Sequence, residues 1–254
     1  MVFYFTATGN SLYVAKALDE ERISIAQAIH DENKIYKADK IGIVCPVFGH
    51  EMPPLVKEFM AQSTFETDYF YLVLTFGSHD GGAAELTNDF CQSIGIDPSY
   101  INVIMMVDNF LPAFDMDKEV KAEKHVDENL AKIKADIESC KEGIAEVKEE
   151  EREIHKIFRE NVSKRPRQSG PMYKITEECI GCGICEKICP KGCFTVENQK
   201  SIQTPEGCIM CMACIHACPM KAIRLNMPEV NPKARYRNEN ITLCEIIDAN
   251  NQGY

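Results

Sequence analysis

Eight of the thirteen cysteines in this 254-residue chain form two regular runs between positions 179 and 218. The first run reads Cys179-Ile-Gly-Cys182-Gly-Ile-Cys185-Glu-Lys-Ile-Cys189-Pro190. The second reads Cys208-Ile-Met-Cys211-Met-Ala-Cys214-Ile-His-Ala-Cys218-Pro219. Both are C-x2-C-x2-C-x3-C-P, an internal repeat with an offset of 29 residues. Each iron of a cubane cluster takes one thiolate. Three closely spaced cysteines wrap three corners, and the fourth comes from elsewhere; in this pattern the fourth cysteine of each run ligates the other cluster. The expected sets for two [4Fe–4S] clusters are Cys179, Cys182, Cys185 and Cys218, and Cys208, Cys211, Cys214 and Cys189. Pro190 and Pro219 turn the chain after the crossing ligand. Gly181 and Gly183 let backbone pass close to sulfur. Zinc is the competing metal, but structural zinc sites pair C-x2–4-C units and do not show two runs of four with a trailing proline.

Residues 172–230 resemble clostridial-type ferredoxins through this doubled motif. Aligned on the repeat, Cys193 falls opposite Ala222 and Phe194 opposite Ile223. Cys193 is therefore expected as a small buried residue beside a cluster, not a ligand. Cys45, Cys91, Cys140 and Cys244 lie in apolar or helical contexts, where buried packing is expected.

A second chemical signal lies at the N-terminal end. Residues 2–6 read as a buried strand, and Thr6-Ala-Thr-Gly-Asn-Ser11 precedes a helical pattern at Leu12, Ala15 and Leu18. Backbone N–H groups at a helix start are unpaired and make an anion site. Hydroxyls of Thr6, Thr8 and Ser11 and the Asn10 amide add donors. With no lysine in the loop and no G-x-x-x-x-G-K-[ST], a monophosphate ester suits it better than a magnesium-bound triphosphate.

T-x-T-G-N-[ST] after a first strand resembles the phosphate loop of flavodoxins, which hold FMN. Two further loops follow strands in the same order: Phe48-Gly-His-Glu-Met-Pro-Pro54 after residues 41–47, and Thr75-Phe-Gly-Ser-His-Asp-Gly-Gly82 after residues 69–76. The resemblance implies an FMN site of Thr6, Thr8, Gly9, Asn10 and Ser11 for the phosphate, with Pro46, Phe48, Gly49, Thr75, Phe76 and Gly77 around the ring. Phe48 and Phe76 are the stacking candidates in a chain without tryptophan, with His79 nearby. Gly49 matches a peptide able to turn its carbonyl toward reduced flavin. Residues 28–40 are too short and polar for the usual second helix, so a flavodoxin-like scaffold without its flavin stays open as the alternative.

These residues need elements to position them. Strands alternating with helices, including one at 55–61 and a further strand at 101–107, imply a parallel doubly wound sheet. Ligands bind such sheets beyond the carboxyl ends of the strands, where all three loops lie. The expected fold is α/β: a flavodoxin-like doubly wound parallel sheet with a small α+β bacterial-ferredoxin domain. The expected divisions are 1–163 (flavodoxin-like, including a long last helix), 164–171 (linker), 172–230 (2[4Fe–4S] ferredoxin domain) and 231–254 (a docking tail). Apolar positions 126, 130, 133, 137, 140, 144 and 147 form one helical stripe. An unbroken helix over 117–160 would be about 66 Å long, with a break near Gly143 as the alternative. Helix-on-sheet packing is favoured over a coiled-coil dimer. Lys164–Gly170 is the candidate linker. Ile241, Leu243, Ile246 and Ile247 suggest a short docked helix. Across nearly its full length, the tail NPKARYRNENITLCEIIDANN included, the chain resembles flavodoxin–ferredoxin fusion proteins of anaerobes.

Composition narrows the partners. Apolar content is 45% and net charge −11. Residues 1–114 carry 15 acids against 6 bases, which argues against nucleic acid and suits a basic protein partner, or simple solubility. The N-terminal residues show no leader pattern and no run is long enough for membrane insertion, so a cytoplasmic, reducing setting is expected. The leading function is electron transfer between redox partner proteins, with two [4Fe–4S] clusters and FMN. The alternative is an FMN-dependent reductase of a small molecule, fed by its own ferredoxin domain, with His50, Glu51, His79 and Asp80 as candidate substrate groups. A docking module is the third reading.

Overall fold

The computed structural model describes residues 1–164 and 172–251. The chain runs β1 (Val2–Tyr4), α1 (Asn10–Leu18), β2 (Arg22–Ser24), a single turn α2 (Ile25–Ala28), β3 (Ile35–Lys37), β4 (Lys40–Pro46), α3 (Pro54–Gln62), β5 (Thr64–Glu66), β6 (Tyr69–Phe76), α4 (Ala83–Ser93) and β7 (Tyr100–Met105). It continues through α5 (Met116–Glu119), α6 (Val126–Glu138), β8 (Gly143–Ile144) and α7 (Glu149–Ser163). The cysteine-rich part holds β9 (Tyr173–Ile175), α8 (Ile184–Ile188), β10 (Phe194–Glu197), β11 (Lys200–Gln203), α9 (Ala213–Ala217) and β12 (Ile223–Leu225), and α10 (Leu243–Asn250) follows.

The main sheet has the order β2-β1-β4-β6-β7-β8 and every pairing in it is parallel. The order reverses at β1/β4, the switch point of a doubly wound sheet of the flavodoxin-like type. Strand alternation explains why β4 and β6 read as unbroken apolar runs, since both faces are covered. Val2, Val44, Tyr71 and Val73 face one core with Leu12, Val14, Leu130, Ile133 and Ile137 of α1 and α6. Phe3, Ile43, Leu72 and Leu74 face the other, against Leu55, Val56 and Phe59 of α3 and Ala83, Ala84 and Cys91 of α4. At Gly42 the sheet accommodates a neighbouring ring, because a Cβ there would lie 2.2 Å from Cζ of Tyr71.

The long helix is not formed. The stripe at 126, 130, 133 and 137 is α6, lying on the sheet. The chain then turns through Cys140 at φ +52 and lays Gly143 beside Tyr100 as a sixth strand, so Ile144 and Val147 continue the stripe by coincidence of spacing. Helix α7 restarts at Glu149 with Glu149, Glu150 and Glu151 in its first turn, where acids suit the positive helix end. Cys45 and Cys91 are buried as expected. Cys140 and Cys244 are exposed, because one occupies the turn after α6 and the other an outer position of α10. Of the expected linker, residues 165–171 lie outside the described residues.

The cysteine-rich lobe repeats itself in space. β9 pairs antiparallel with β12, and β10 with β11. Helices α8 and α9 start 29 residues apart, like the motifs. Buried residues of this lobe (Tyr173, Ile188, Phe194, Ile215) and of the tail (Tyr236, Ile241, Ile246) belong to the same core as the α1/α6 face of the sheet.

Candidate functional site

The eight cysteines surround two separate cavities. One is lined by Cys179, Cys182, Cys185 and Cys218. The other is lined by Cys189, Cys208, Cys211 and Cys214, with Cys193 beside them. The exchange of fourth cysteines has a simple cause. Cys189 and Cys218 are the C-caps of α8 and α9, where the chain leaves the helix in extended backbone and carries each thiol to the other cavity. Gly181, at φ +64, has no room for a side chain: a Cβ would lie 2.6 Å from the carbonyl of Gln199.

Donors to sulfur follow the repeat. The Cys193 N–H donates to Cys189 Sγ at 3.2 Å and the Ala222 N–H to Cys218 Sγ at 3.2 Å, the same bond 29 residues apart. Ser201 adds its N–H to Cys179 Sγ at 3.4 Å and a hydroxyl contact to Cys185 Sγ at 3.0 Å. Burial pushes the Cys211 thiol up to about 12 and that of Cys214 well above its ordinary value. The neighbouring Cys193 thiol, the largest cause in each case, holds Cys189 and Cys208 below the ordinary thiol range. Cys193 itself is buried and pushed far up. It sits at the cavity wall as a thiol, in the place the repeat assigns to Ala222. Among the described residues no three His, Cys, Asp or Glu side chains converge tightly enough for a single metal ion. The thiols ring a volume instead. Four ionised thiolates around an apolar cavity are costly unless positive charge fills it, and the donor set fits a four-iron cubane in each.

The two cavities differ in setting. Cys182 is exposed, and Ile180 and Met220 on the same rim are 59% and 44% exposed. The second cavity faces inward: Ile209 and Cys211 pack against the α3/α4 core of the sheet, and Lys191 lies 3.9 Å from Glu58 of α3.

The residues expected to hold FMN phosphate are buried together at the start of α1, with other partners. Thr6 Oγ1 accepts from the Gly9 N–H at 3.1 Å and Thr8 Oγ1 from Asn109 Nδ2 at 2.8 Å. Ser11 and Thr75 share a hydroxyl hydrogen bond at 2.9 Å. Asn10 donates to the Val107 carbonyl at 3.1 Å and accepts from the Tyr236 hydroxyl at 2.6 Å. Gly9, at φ +102, gives the tail its room, since a Cβ would lie 3.0 Å from the Cβ atoms of Asn238 and Ile241.

The expected ring loops are also engaged. Pro46 ends β4 and Phe48 packs edge-on to Phe5 at 6.3 Å. A Cβ on Gly49 would meet Phe158 of α7 at 3.0 Å. Phe76 ends β6 and Gly77 follows it, with Asp108 against Gly77. Helix α7 lies across both loops. Glu151 accepts from the Gly81 N–H at 2.8 Å and contacts His79 Nδ1 at 3.0 Å, and His155 Nδ1 stands 3.3 Å from His50 Nδ1. Glu51 pairs with Lys57 and Arg159, and Asp80 accepts from the Gly82 N–H. Arranged this way the polar side chains of these loops are engaged within the chain. The four candidate substrate groups face α7 or their own backbone. Sequence reasoning missed Tyr236, Asn238, Glu151, His155 and Phe158, which come from segments distant in the chain and carry no motif.

Residues 178–223 match the family model of the 4Fe–4S dicluster domain. The chain is 47% identical over 47 residues to one subunit of an ion-translocating oxidoreductase complex of Methanosarcina acetivorans, covering 18% of each. It is 33% identical over 60 residues to a ferredoxin of Rickettsia felis, 23% of this chain and 55% of that one. It is 40% identical over 68 residues to an uncharacterized ferredoxin of Methanocaldococcus jannaschii, 25% of this chain and 86% of the relative. The chain thus spans less than two thirds of the first two. Among solved structures, a protein described as a flavoprotein from Bacteroides uniformis aligns with 48% of this chain and 94% of its own, at 16% identity and a TM-score of 0.30. The flavodoxin-like order of the sheet stands on its strand pairing.

Proposed function

Through residues 178–223 the chain belongs to the 4Fe–4S dicluster ferredoxins, and from that premise we propose that it is a one-chain electron carrier with two interleaved [4Fe–4S] sites. Cys179, Cys182, Cys185 and Cys218 hold one cluster; Cys189, Cys208, Cys211 and Cys214 hold the other. The observation that carries this is the sorting of eight thiols around two cavities, three from one run and one from the other. When bound, the clusters supply one-electron transfer. The chain supplies the thiolates, the N–H donors from Ser201, Cys193 and Ala222 that stabilise charge on sulfur, and apolar walls that keep water out; these set potential. The exposed rim of the first site suits exchange with redox partner proteins. Residues 172–230 act as the cluster-bearing unit, 1–163 as a flavodoxin-like support and 231–254 as the tail, the layout of a flavodoxin–ferredoxin fusion. FMN, which the loop resemblance implies, has no role in this proposal, because its expected residues hold other partners. Among the described residues no helix is long and apolar enough to cross a membrane. Anaerobic purification with iron and sulfide analysis tests the reading: about eight of each per chain are expected for two cubanes, and zinc in their place or about four irons would overturn it.

A further inference from the structure

We propose that the loop at the start of α1 is a peptide site whose ligand is the chain's own segment 235–250, and that this occupancy fastens the cysteine-rich lobe to the sheet. Hydrogen-bond polarity separates a phosphate from a peptide ligand. A phosphate ester offers oxygens, so a loop that binds it turns donors outward. This loop turns acceptors toward the tail. The Asn238 N–H donates to the Thr8 carbonyl at 2.8 Å. Asn250 Nδ2 donates to the Thr6 carbonyl at 3.0 Å. The Tyr236 hydroxyl and Asn238 Nδ2 both donate to Asn10 Oδ1, at 2.6 and 3.3 Å. The Asn10 amide is fixed this way round, because Nδ2 donates to the Val107 carbonyl and a flip would set two oxygens against each other. Three acceptors thus meet uncharged donors of the tail.

Shape agrees with polarity. Gly9 carries no side chain where Asn238 and Ile241 pack, and Ile241 and Ile246 are each 1% exposed. Helix α10, begun by the Thr242/Glu245 capping box, is held further by Lys16 to Glu245 at 2.6 Å and by Ser24, whose hydroxyl donates to the Ala249 carbonyl.

The same segment grips the other lobe one or two residues earlier. Arg235 Nε donates to the Ile215 carbonyl at 3.1 Å, and the Tyr236 N–H donates to His216 Nδ1 at 3.0 Å. Tyr236 therefore holds α9 with its backbone and Asn10 with its hydroxyl. A parallel route supports it: His216 Nε2 contacts the Asn109 carbonyl at 2.9 Å, and Asn109 Nδ2 donates to Thr8 Oγ1. The phosphate-type loop serves as the anchor of a strap between the two halves.

The test uses the cluster-loaded full chain. Equilibrium dialysis against about 100 µM FMN, a concentration that would fill a micromolar site, is expected to leave less than about a tenth of a flavin per chain. Hydrogen exchange then compares it with Tyr236→Phe and with Tyr236→Phe/Asn238→Ala. Loosening the strap is expected to speed exchange about tenfold or more in the double variant, at residues 8–13 and at 213–218 together, since a shared opening exposes both. Tyr236→Phe keeps the ring and changes both segments in the same direction by less. One flavin bound per wild-type chain would overturn the proposal. So would faster exchange in 236–250 while 8–13 and 213–218 stay as in the wild type.

Discussion

The two regions that carry chemical motifs treat their polar groups in opposite ways. In the cysteine-rich lobe, eight thiols stand around two cavities and their donors point at sulfur. At the carboxyl edge of the sheet, the loop groups of Thr6, Thr8, Asn10 and Ser11 all have partners in the chain, and α7 lies over the next two loops. A motif that brings its own ligands within forty residues declares its occupant. A motif that depends on space declares only the loop, because any other segment can fill the space.

Loss of the metal is expected to separate the two regions most severely. The lobe gathers thiols in an apolar setting, and metal binding in such sites carries much of the folding free energy. Chelating the iron is expected to abolish amide protection across 173–225 while β1, β4 and β6 keep theirs; hydrogen exchange reads both. The converse is Phe59→Ala in the α3/α4 core. Emptying a fully buried phenyl site costs about 3–5 kcal/mol, seen as a lower midpoint for the sheet in denaturant, while the absorbance of the clusters at low denaturant is unchanged. Smaller effects sharpen the contrast. Ser201→Ala removes the hydroxyl contact to Cys185 and leaves the N–H to Cys179. A hydrogen bond of about 1 kcal/mol is about 40 mV for one electron, so the first cluster's potential should fall by about that much, and the second should hold, in a redox titration. The smallest change is in pH. Burial, first, and the neighbouring imidazole lower His50, and burial lowers His155. Both take up protons less readily in the folded chain, so the unfolded chain takes up protons first as pH falls. The stability they contribute is present above about pH 6.5, their unfolded value, and is lost as pH falls through their depressed folded values. Faces opposing this pair carry Glu51, Glu151, His79, Asp80 and Arg159. Exchange in α7 should quicken as pH falls below about 6.5, with the lobe unchanged.

Much of the fold was legible because sheet chemistry is local. The apolar runs at 41–47 and 69–76 mark strands covered on both faces, and the loops after them mark the sheet's working edge. Strand β8 was not legible: two residues, Gly143 and Ile144, pair with β7 and happen to extend the spacing of α6. Strand β2, with three residues, was nearly as short. The two cysteine sets could be written down because the repeat dictates them, and Cys193 could be placed because the repeat puts an alanine opposite it. The tail contacts could not. Tyr236 and Asn238 meet Asn10 across more than 220 residues, and nothing in the order RYRNEN names that partner.

The interleaving of the two sites admits one direct measurement. In the double variant Cys179→Ala/Cys218→Ala, crossed ligation removes two thiolates from a single cluster and leaves the other with all four. Iron analysis with low-temperature electron paramagnetic resonance after reduction is expected to find about four irons and the signal of one intact [4Fe–4S] cluster. If each run of four held its own cluster, this variant would strip one ligand from both, and damage to both signals with no intact cluster would contradict the account.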